Sequence, residues 1–530
     1  MSKVFIYDTT LRDGNQARGV SFSLEDKLMI AQRLDDFGID YIEGGWPNPT
    51  NQTDLLFYPE SQKLKLKNAR ISAFGSTRRA KIRSKNDPGL LCLVKTRAPV
   101  ITIFGKSWDL HVRQILKTSL EENLRMIEES VVFLKNHCEE VIYDAEHFFD
   151  GYKENPEYAL KTLFAAADGG ADCIVLCDTN GGLLPMECDD IFNKVQTEIQ
   201  IPLGIHVHND AGCAEANSLI CVARGAGHVQ GTINGIGERC GNANLCTIIP
   251  DIELKLNRKT VGKAKLKKLR ELSLYVSEVA NLHHNSRLPF VGESAFSHKG
   301  GAHIDGVLKE RRSFEHIDPS VVGNERTYIL SDQAGGSTIV EKLKTFIPDV
   351  NKKDPRVKDL LKQLKDMEGR GYQFEAAEAS FRLLAYKAMG MYREPFQFKG
   401  FRVIEEKRGE KNPYSEATIQ VEADGMLEHT AAEGDGPVNA LDNAIRKALS
   451  RFYPQIRDIR LTDYKVLVIN AKSGTAAKVR VLIESTDGRE IWGTVGVSEN
   501  VIEASWLALI DSLNYKLMMD QDKKRKKRVK

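Results

Sequence analysis

Pro202-Leu-Gly-Ile-His-Val-His-Asn-Asp210 reads as a short strand that runs out into a polar loop. Residues two apart on a strand share a face, so His206 and His208 project from one side of it and form half of a divalent-metal site. Working outward, the same unit recurs from residue 1 to about 250: a short β-branched strand, a polar loop, then an amphipathic helix. Strands are expected at Val4–Tyr7, Tyr41–Gly44, Ile71–Phe74, Val100–Phe104, Glu140–Asp144, Cys173–Cys177, Gly204–Val207 and Val229–Asn234. Helices such as Leu24–Phe37, Leu120–His137 and Pro156–Gly169 lie between them, with apolar positions three or four apart. Alternation of this length implies right-handed parallel crossovers, and eight units favour a closed (β/α)8 TIM barrel over a doubly wound open sheet.

Asp8, Arg12, Asp13, Glu43, Asp144, Glu146, Asp178, Thr179, His206, His208 and Asn234 all fall at or just past the C-terminal ends of those strands. In a closed barrel these ends converge on one rim, where barrel enzymes carry their active sites. Two histidines and Asp13 supply three ligands and leave positions for water and substrate. Nitrogen and oxygen donors without cysteine suit Mg²⁺, Mn²⁺, Zn²⁺ or Co²⁺, and spacing does not choose among them. Gly235-Ile-Gly237 with Gly241 lacks dinucleotide-binding spacing and is read as a turn near the metal.

Beyond about residue 255 the repeat stops. Lys263–His284 reads as a helix, followed by a Gly-rich loop, Phe296-Ser-His-Lys-Gly-Gly-Ala-His-Ile-Asp-Gly306, and by helices at Gly336–Phe346, Arg356–Met367 and Phe374–Tyr392. This is a helical linker region without sheet patterning. The last part is an α+β domain with a β-β-β-α duplication: strands near Phe401–Glu405, Glu416–Glu422 and Leu427–Thr430 and the helix Pro437–Phe452, then Ile459–Ile469, Ala477–Ser485, Glu490–Val497 and Val501–Lys516. The expected division is 1–260 barrel, 261–394 linker, 395–516 C-terminal domain and 517–530 basic tail.

A chain of 530 residues is too long for one ordinary core. Its 42% apolar and 28% charged residues are ordinary for a soluble globular protein, and a net charge of +2 argues against a broad nucleic-acid surface. The run Lys523-Lys-Arg-Lys-Lys-Arg528 is the exception and is read as a solvated, irregular tail. No stretch approaches a membrane span and no signal-peptide core opens the chain, so a cytoplasmic protein is expected. The nine cysteines lack metal or redox spacing and read as reduced, mostly buried hydrophobes, Cys240 included.

Four stretches carry a resemblance: Asp8-Thr-Thr-Leu-Arg-Asp-Gly-Asn-Gln16, Gly204-Ile-His-Val-His-Asn-Asp210, Asn234-Gly-Ile-Gly-Glu-Arg-Cys-Gly-Asn-Ala243 and Phe296 to Leu308. They closely resemble the 2-isopropylmalate, homocitrate and citramalate synthase family, over essentially the whole chain. Tyr41-Ile-Glu-Gly-Gly-Trp-Pro-Asn-Pro49 and Gly14-Asn-Gln-Ala-Arg18 look most like its citramalate-forming branch.

The resemblance implies a Claisen-type condensation of acetyl-CoA with a 2-oxo acid, releasing CoA. Pyruvate is the first choice, giving (R)-citramalate for isoleucine synthesis. The alternatives are 2-oxoisovalerate, which would make the chain a 2-isopropylmalate synthase of leucine synthesis, and an acyl-CoA carbon–carbon lyase. Asp13, His206 and His208 would hold the metal, with Asn242 as a further ligand or outer contact. Arg12 would stabilise negative charge on the keto oxygen, and Glu43, Thr179 and Tyr143 would position the substrate. His303 would remove a proton from the acetyl methyl group, assisted by Asp305, and Glu146 is counted among the catalytic residues. A base outside the barrel makes a homodimer plausible, and the C-terminal duplication implies an amino-acid effector, with isoleucine first.

Overall fold

Eight parallel strands close on themselves in sequence order in the computed structural model, which describes residues 3–48, 50–329, 335–351, 353–410, 412–469 and 477–529. They are β1 (Phe5–Asp8), β2 (Tyr41–Gly45), β3 (Arg70–Ser76), β4 (Val100–Lys106), β5 (Glu140–Glu146), β6 (Cys173–Asp178), β7 (Leu203–Val207) and β8 (His228–Gly231). Closure comes from β1 pairing with β8, Phe5 opposite His228 through Asp8 opposite Gly231. The eighth strand stops earlier than expected. Asn234 takes a left-handed conformation (φ 62°) in the turn that follows, and its amide donates to the Ser273 carbonyl (2.8 Å) and to Ser277 Oγ (3.0 Å), so it pins that turn instead of extending the strand.

The pleat sends alternate side chains to opposite sides of the barrel wall. Tyr7, Tyr41, Val100, Ile142, Cys173, Val175 and Cys177 fill the interior, while Val141, Tyr143 and Ala145 join the larger apolar layer under the helices. That layer is built from segments whose ends are written in the chain. The helix Leu24–Phe37 begins with a reciprocal cap, Asp26 N donating to Ser23 Oγ (3.1 Å) and Ser23 N to Asp26 Oδ2 (2.9 Å). It ends at Gly38, whose φ of 99° a side chain would resist.

The first compact unit comprises residues 1–296 and 317–326 and so runs past residue 260, where the alternating pattern ends. The expected helix Lys263–His284 is two pieces, Lys263–Leu266 and Leu269–Val279, whose Leu266, Leu269, Leu272 and Val276 belong to the barrel's apolar layer.

The second unit comprises residues 297–316 and 327–530. The stretch expected as a Gly-rich loop contains a helix, Gly301–Lys309, held by buried Ile304 and Val307. The linker also contains a short parallel pair, β9 (Ser297–His298) with β10 (Thr327–Tyr328), where no strand was expected. Further on are two antiparallel sheets of three strands, β11 (Gln397–Glu406), β12 (Tyr414–Ala423) and β13 (Met426–Gly434), then β14 (Arg460–Val468), β15 (Val479–Thr486) and β16 (Ile491–Ser498). Each sheet is followed by a helix, Pro437–Leu449 and Val501–Val529, so the β-β-β-α duplication is realised. The last helix runs through the segment expected as an irregular tail. Leu517 and Met518 are buried, and the backbone stays helical to Val529, while the side chains of the basic run lie outside the described residues.

Candidate active site

The loop leaving β1 is fixed before any ligand is considered. Asp8 accepts from Thr10 N (2.9 Å) and Thr10 Oγ1 (3.0 Å), and Thr10 Oγ1 accepts from Ile233 N (2.9 Å), tying the first loop to the turn after the last strand. Burial pushes the Asp8 carboxyl up to about 7, against the two Thr10 bonds that lower it. Arg12 and Asp13 follow at the rim. Arg12 Nε donates to Glu43 Oε2 (2.5 Å), another guanidinium nitrogen is hydrogen-bonded to Asp13, and the guanidinium lies 3.8 Å above the centre of the Phe74 ring. Glu43 also accepts from Tyr7 Oη (2.7 Å) and is fully buried behind Arg12. It orients the arginine and does not line the cavity.

The two histidines arrive on β7 as its period of two requires. Gln230 on β8 accepts at Oε1 from His206 Nδ1 (2.8 Å), and Gln230 Nε2 donates to Asp144 Oδ1 (3.0 Å). This assigns the proton of His206 to Nδ1 and frees Nε2 to act as a ligand. His206 Nε2 lies 3.5 Å from His208 Nε2 and 3.6 Å from Asp13 Oδ2, and Asn242 Nδ2 is 3.3 Å from both Asp13 Oδ2 and His206 Nε2. Burial lowers both imidazole pKa values, that of His208 to about 3, and so keeps the rings in the neutral form a metal requires. Burial opposes ionisation of Asp13, but the Arg12 guanidinium beside it outweighs that and holds its carboxyl below the usual range.

These donors fit a divalent cation. Nitrogen ligands at about 2.0–2.1 Å from one ion stand roughly 3–3.4 Å apart, so the observed separations need only small closure. Among the described residues no group of three or more His, Cys, Asp and Glu is already drawn into a finished cage, because Arg12 and the Asn242 amide engage Asp13. Asn242 Oδ1 is buried without a hydrogen-bond partner, and a Cβ on Gly237 would come within 1.9 Å of it. Rotation of that amide turns its oxygen toward Asp13 and His206. The Gly235–Gly237 turn lies against Asn242, and glycine at 237 allows that close approach.

Arg12, Asp13, Thr179, His206 and His208 line a cavity of about 190 Å³ together with Trp46, Phe74 and Phe104. Glu146 also faces it and is ion-paired with Lys106. Thr179 Oγ1 accepts from His147 N (2.9 Å), and His147 adopts a left-handed conformation (φ 55°) just past β5. Tyr143, expected at the substrate, does not reach this cavity. Asp144 points inward, so Tyr143, one residue earlier on the pleat, points into the helix layer, where it is fully buried. Asp178 Oδ2 accepts from Leu183 N (3.0 Å) and serves its own turn. Cys240, expected in the core, is exposed.

In the second unit, His303 is exposed on the helix Gly301–Lys309 and stacks on Phe314 with ring centres 4.4 Å apart. Asp305 is turned away from it, accepting from Ser337 Oγ (3.0 Å) and Lys309 Nζ (2.6 Å), because residues two apart on a helix do not face each other. Sequence reasoning missed Gln230, the aromatic wall and Arg239, which grips Asp210 through two bonds of 2.9 Å and donates to the Thr179 carbonyl (2.8 Å). Gln230 was detectable as an inward-phased polar residue on β8.

The HMGL-like family matches residues 3–276, the homocitrate synthase post-HMGL domain-like family residues 290–371, and the LeuA allosteric (dimerisation) domain residues 375–517. The chain belongs to the HMGL-like family, within its 2-isopropylmalate, homocitrate and citramalate synthase branch. It is 56% identical over 522 residues to the (R)-citramalate synthase of Aquifex aeolicus, covering 98% of this chain and 99% of that one. The (R)-citramalate synthase of Geobacter sulfurreducens is 55% identical over 98% of this chain and 99% of its own, and a 2-isopropylmalate synthase of Methanocaldococcus jannaschii is 32% identical over 98% and 96%. Among the described residues no helix is long and apolar enough to cross a membrane.

Proposed function

We propose that this chain is an acyltransferase that condenses acetyl-CoA with pyruvate to give (R)-citramalate and CoA. The observation that carries the reading is the near full-length identity to (R)-citramalate synthases. The small cavity, lined by both charged and aromatic side chains, supports it, since it suits a short 2-oxo acid.

In this reading Asp13, His206 and His208 hold a divalent ion, Mn²⁺, Mg²⁺, Zn²⁺ or Co²⁺, with Asn242 adding its amide oxygen. When bound, the ion supplies polarisation of the keto group. Arg12, locked by Glu43 and Asp13, presents fixed donors to the oxygen on which negative charge grows. Thr179 positions the substrate, and Glu146 is assigned to proton handling at the same cavity. His303 accepts a proton from the acetyl methyl group. The methyl carbon then bonds to the keto carbon, the keto oxygen takes a proton, and water cleaves the thioester to release CoA. Isoleucine is the proposed effector, acting through the C-terminal domain, and the subunits are proposed to pair as a homodimer, a reading supported by the match to an allosteric and dimerisation domain.

The test is release of free CoA from acetyl-CoA with pyruvate, 2-oxoisovalerate and 2-oxoglutarate in turn, with and without a chelator. Chelator-sensitive release with pyruvate alone is expected, and release only with 2-oxoisovalerate would reassign the substrate. His303→Ala should lower turnover by about 10²–10⁴-fold while leaving metal binding by calorimetry unchanged. Isoleucine should inhibit the full chain, and leucine should not.

A further inference from the structure

Two charged side chains that the mechanism does not use are buried beside the cavity. Lys27, on the helix Leu24–Phe37, is 1% exposed, and Asp54, on the helix Gln52–Ser61, is 5% exposed. They form an ion pair, and Lys27 Nζ also donates to the Gly44 carbonyl (3.1 Å). Burying such a pair is costly, and apolar residues of similar volume usually serve stability as well or better. The pair is better explained by the second carboxylate oxygen. Asp54 Oδ2 accepts from Trp46 N (2.8 Å) and Asn51 Nδ2 (2.7 Å).

The backbone ahead of Trp46 is drawn onto the same helix. Tyr58 Oη donates to the Gly45 carbonyl (2.6 Å). Gly45 has φ 146°, and a Cβ there would come within 2.3 Å of Asp54 Cγ. The Trp46 ring then stands edge-on to Phe74 (5.8 Å, 89°) and Phe104 (5.4 Å, 84°), which stack on each other at 5.5 Å, and all three line the cavity with Arg12 and the histidines, Phe74 lying directly against the Arg12 guanidinium.

We propose that the Lys27–Asp54 pair is a positioning device that fixes Trp46 as the size-limiting wall of the cavity, and so sets how large a side chain the 2-oxo acid can carry; this rests on the synthase reading above. Asp54 holds the Trp46 backbone, Lys27 holds Asp54, and neither touches substrate.

The experiment compares kcat/KM for pyruvate and for 2-oxobutyrate, one methylene longer, in the full-length metal-loaded enzyme. Lys27→Met should raise the 2-oxobutyrate-to-pyruvate ratio by about tenfold, since one methylene in an apolar pocket is worth about that or more. Trp46→Leu should move it in the same direction, and the double variant should move it no further than Trp46→Leu alone. Tyr58→Phe, which keeps the ring and the packing, should shift the ratio by about threefold and serves if Lys27→Met does not fold. A folded Lys27→Met or Tyr58→Phe enzyme with an unchanged ratio, or an additive double variant, overturns the proposal. A second readout needs no turnover. With Trp108, Trp492 and Trp506 replaced by Phe, Trp46 emission should shift to the red and become more open to acrylamide quenching on Lys27→Met. Should the unmodified enzyme release no CoA with any 2-oxo acid, the synthase reading fails, while an unchanged Trp46 emission still refutes the positioning role.

Discussion

His228 and His206 are buried in one barrel at opposite ends of its strands. His228 opens β8 at the N-terminal end, between the rings of Tyr7 (5.3 Å) and Tyr41 (5.5 Å), and its Nε2 has no hydrogen-bond partner. His206 sits toward the C-terminal end of β7, tethered at Nδ1 by Gln230, with Nε2 aimed at His208 and Asp13. Burial lowers the pKa of both. The difference lies in what surrounds them: the lower barrel uses an imidazole as one more flat ring, and the rim supplies it with a tautomer-fixing acceptor and charged neighbours.

Substitutions at the two ends should therefore separate activity from stability. The largest effect is expected for Arg12→Lys at the rim, which keeps a cation beside buried Glu43 but loses the planar fork of donors: about 10³-fold in kcat, the upper range for removing one preorganised donor, with the unfolding midpoint in urea little changed. Next, Gln230→Ala leaves His206 in place without its acceptor. Affinity for Mn²⁺ or Zn²⁺ by calorimetry should fall about 10–100-fold, and unchanged affinity would remove Gln230 from the ligand system. The smallest effect belongs to the floor. His228 has a folded pKa near 3 against an ordinary 6.5, so the unfolded chain binds more protons between those values. The stability contribution is full above about pH 6.5 and is lost as pH falls toward 3. His228→Phe should flatten that part of the stability profile and leave kcat near its starting value; an equally steep profile would contradict the assignment.

Much of this contrast was legible before the structure. The alternation of strand and helix gave away the barrel, the period of two put His206 and His208 on one face, and position at strand ends picked out Arg12, Asp13 and Glu43. Three kinds of feature stayed hidden. The direction of Tyr143 depends on pleat phase, which Asp144 fixes by pointing inward. Phe74 and Phe104 come from two strands and Trp46 from the residue after a third, and nothing local says that their rings meet. The helix Gly301–Lys309 was masked by glycines at 301 and 306, poor helix formers whose cost is offset by Ile304 and Val307 packing one turn apart. Gly306 is needed there because a Cβ would come within 2.3 Å of the Phe314 ring.

The contact between Asp13 and Asn242 joins residues 229 apart in sequence. During synthesis the first strand therefore emerges long before its closing partner. At about 5–20 residues per second the interval is roughly 10–50 s, during which one side of β1 has no β8 to pair with. The nascent chain must carry an open sheet edge through roughly two-fifths of its translation, and Asp13 meets Asn242 only after the last strand. A ribosome stalled near residue 200 would hold Arg12 and Asp13 on an unclosed sheet.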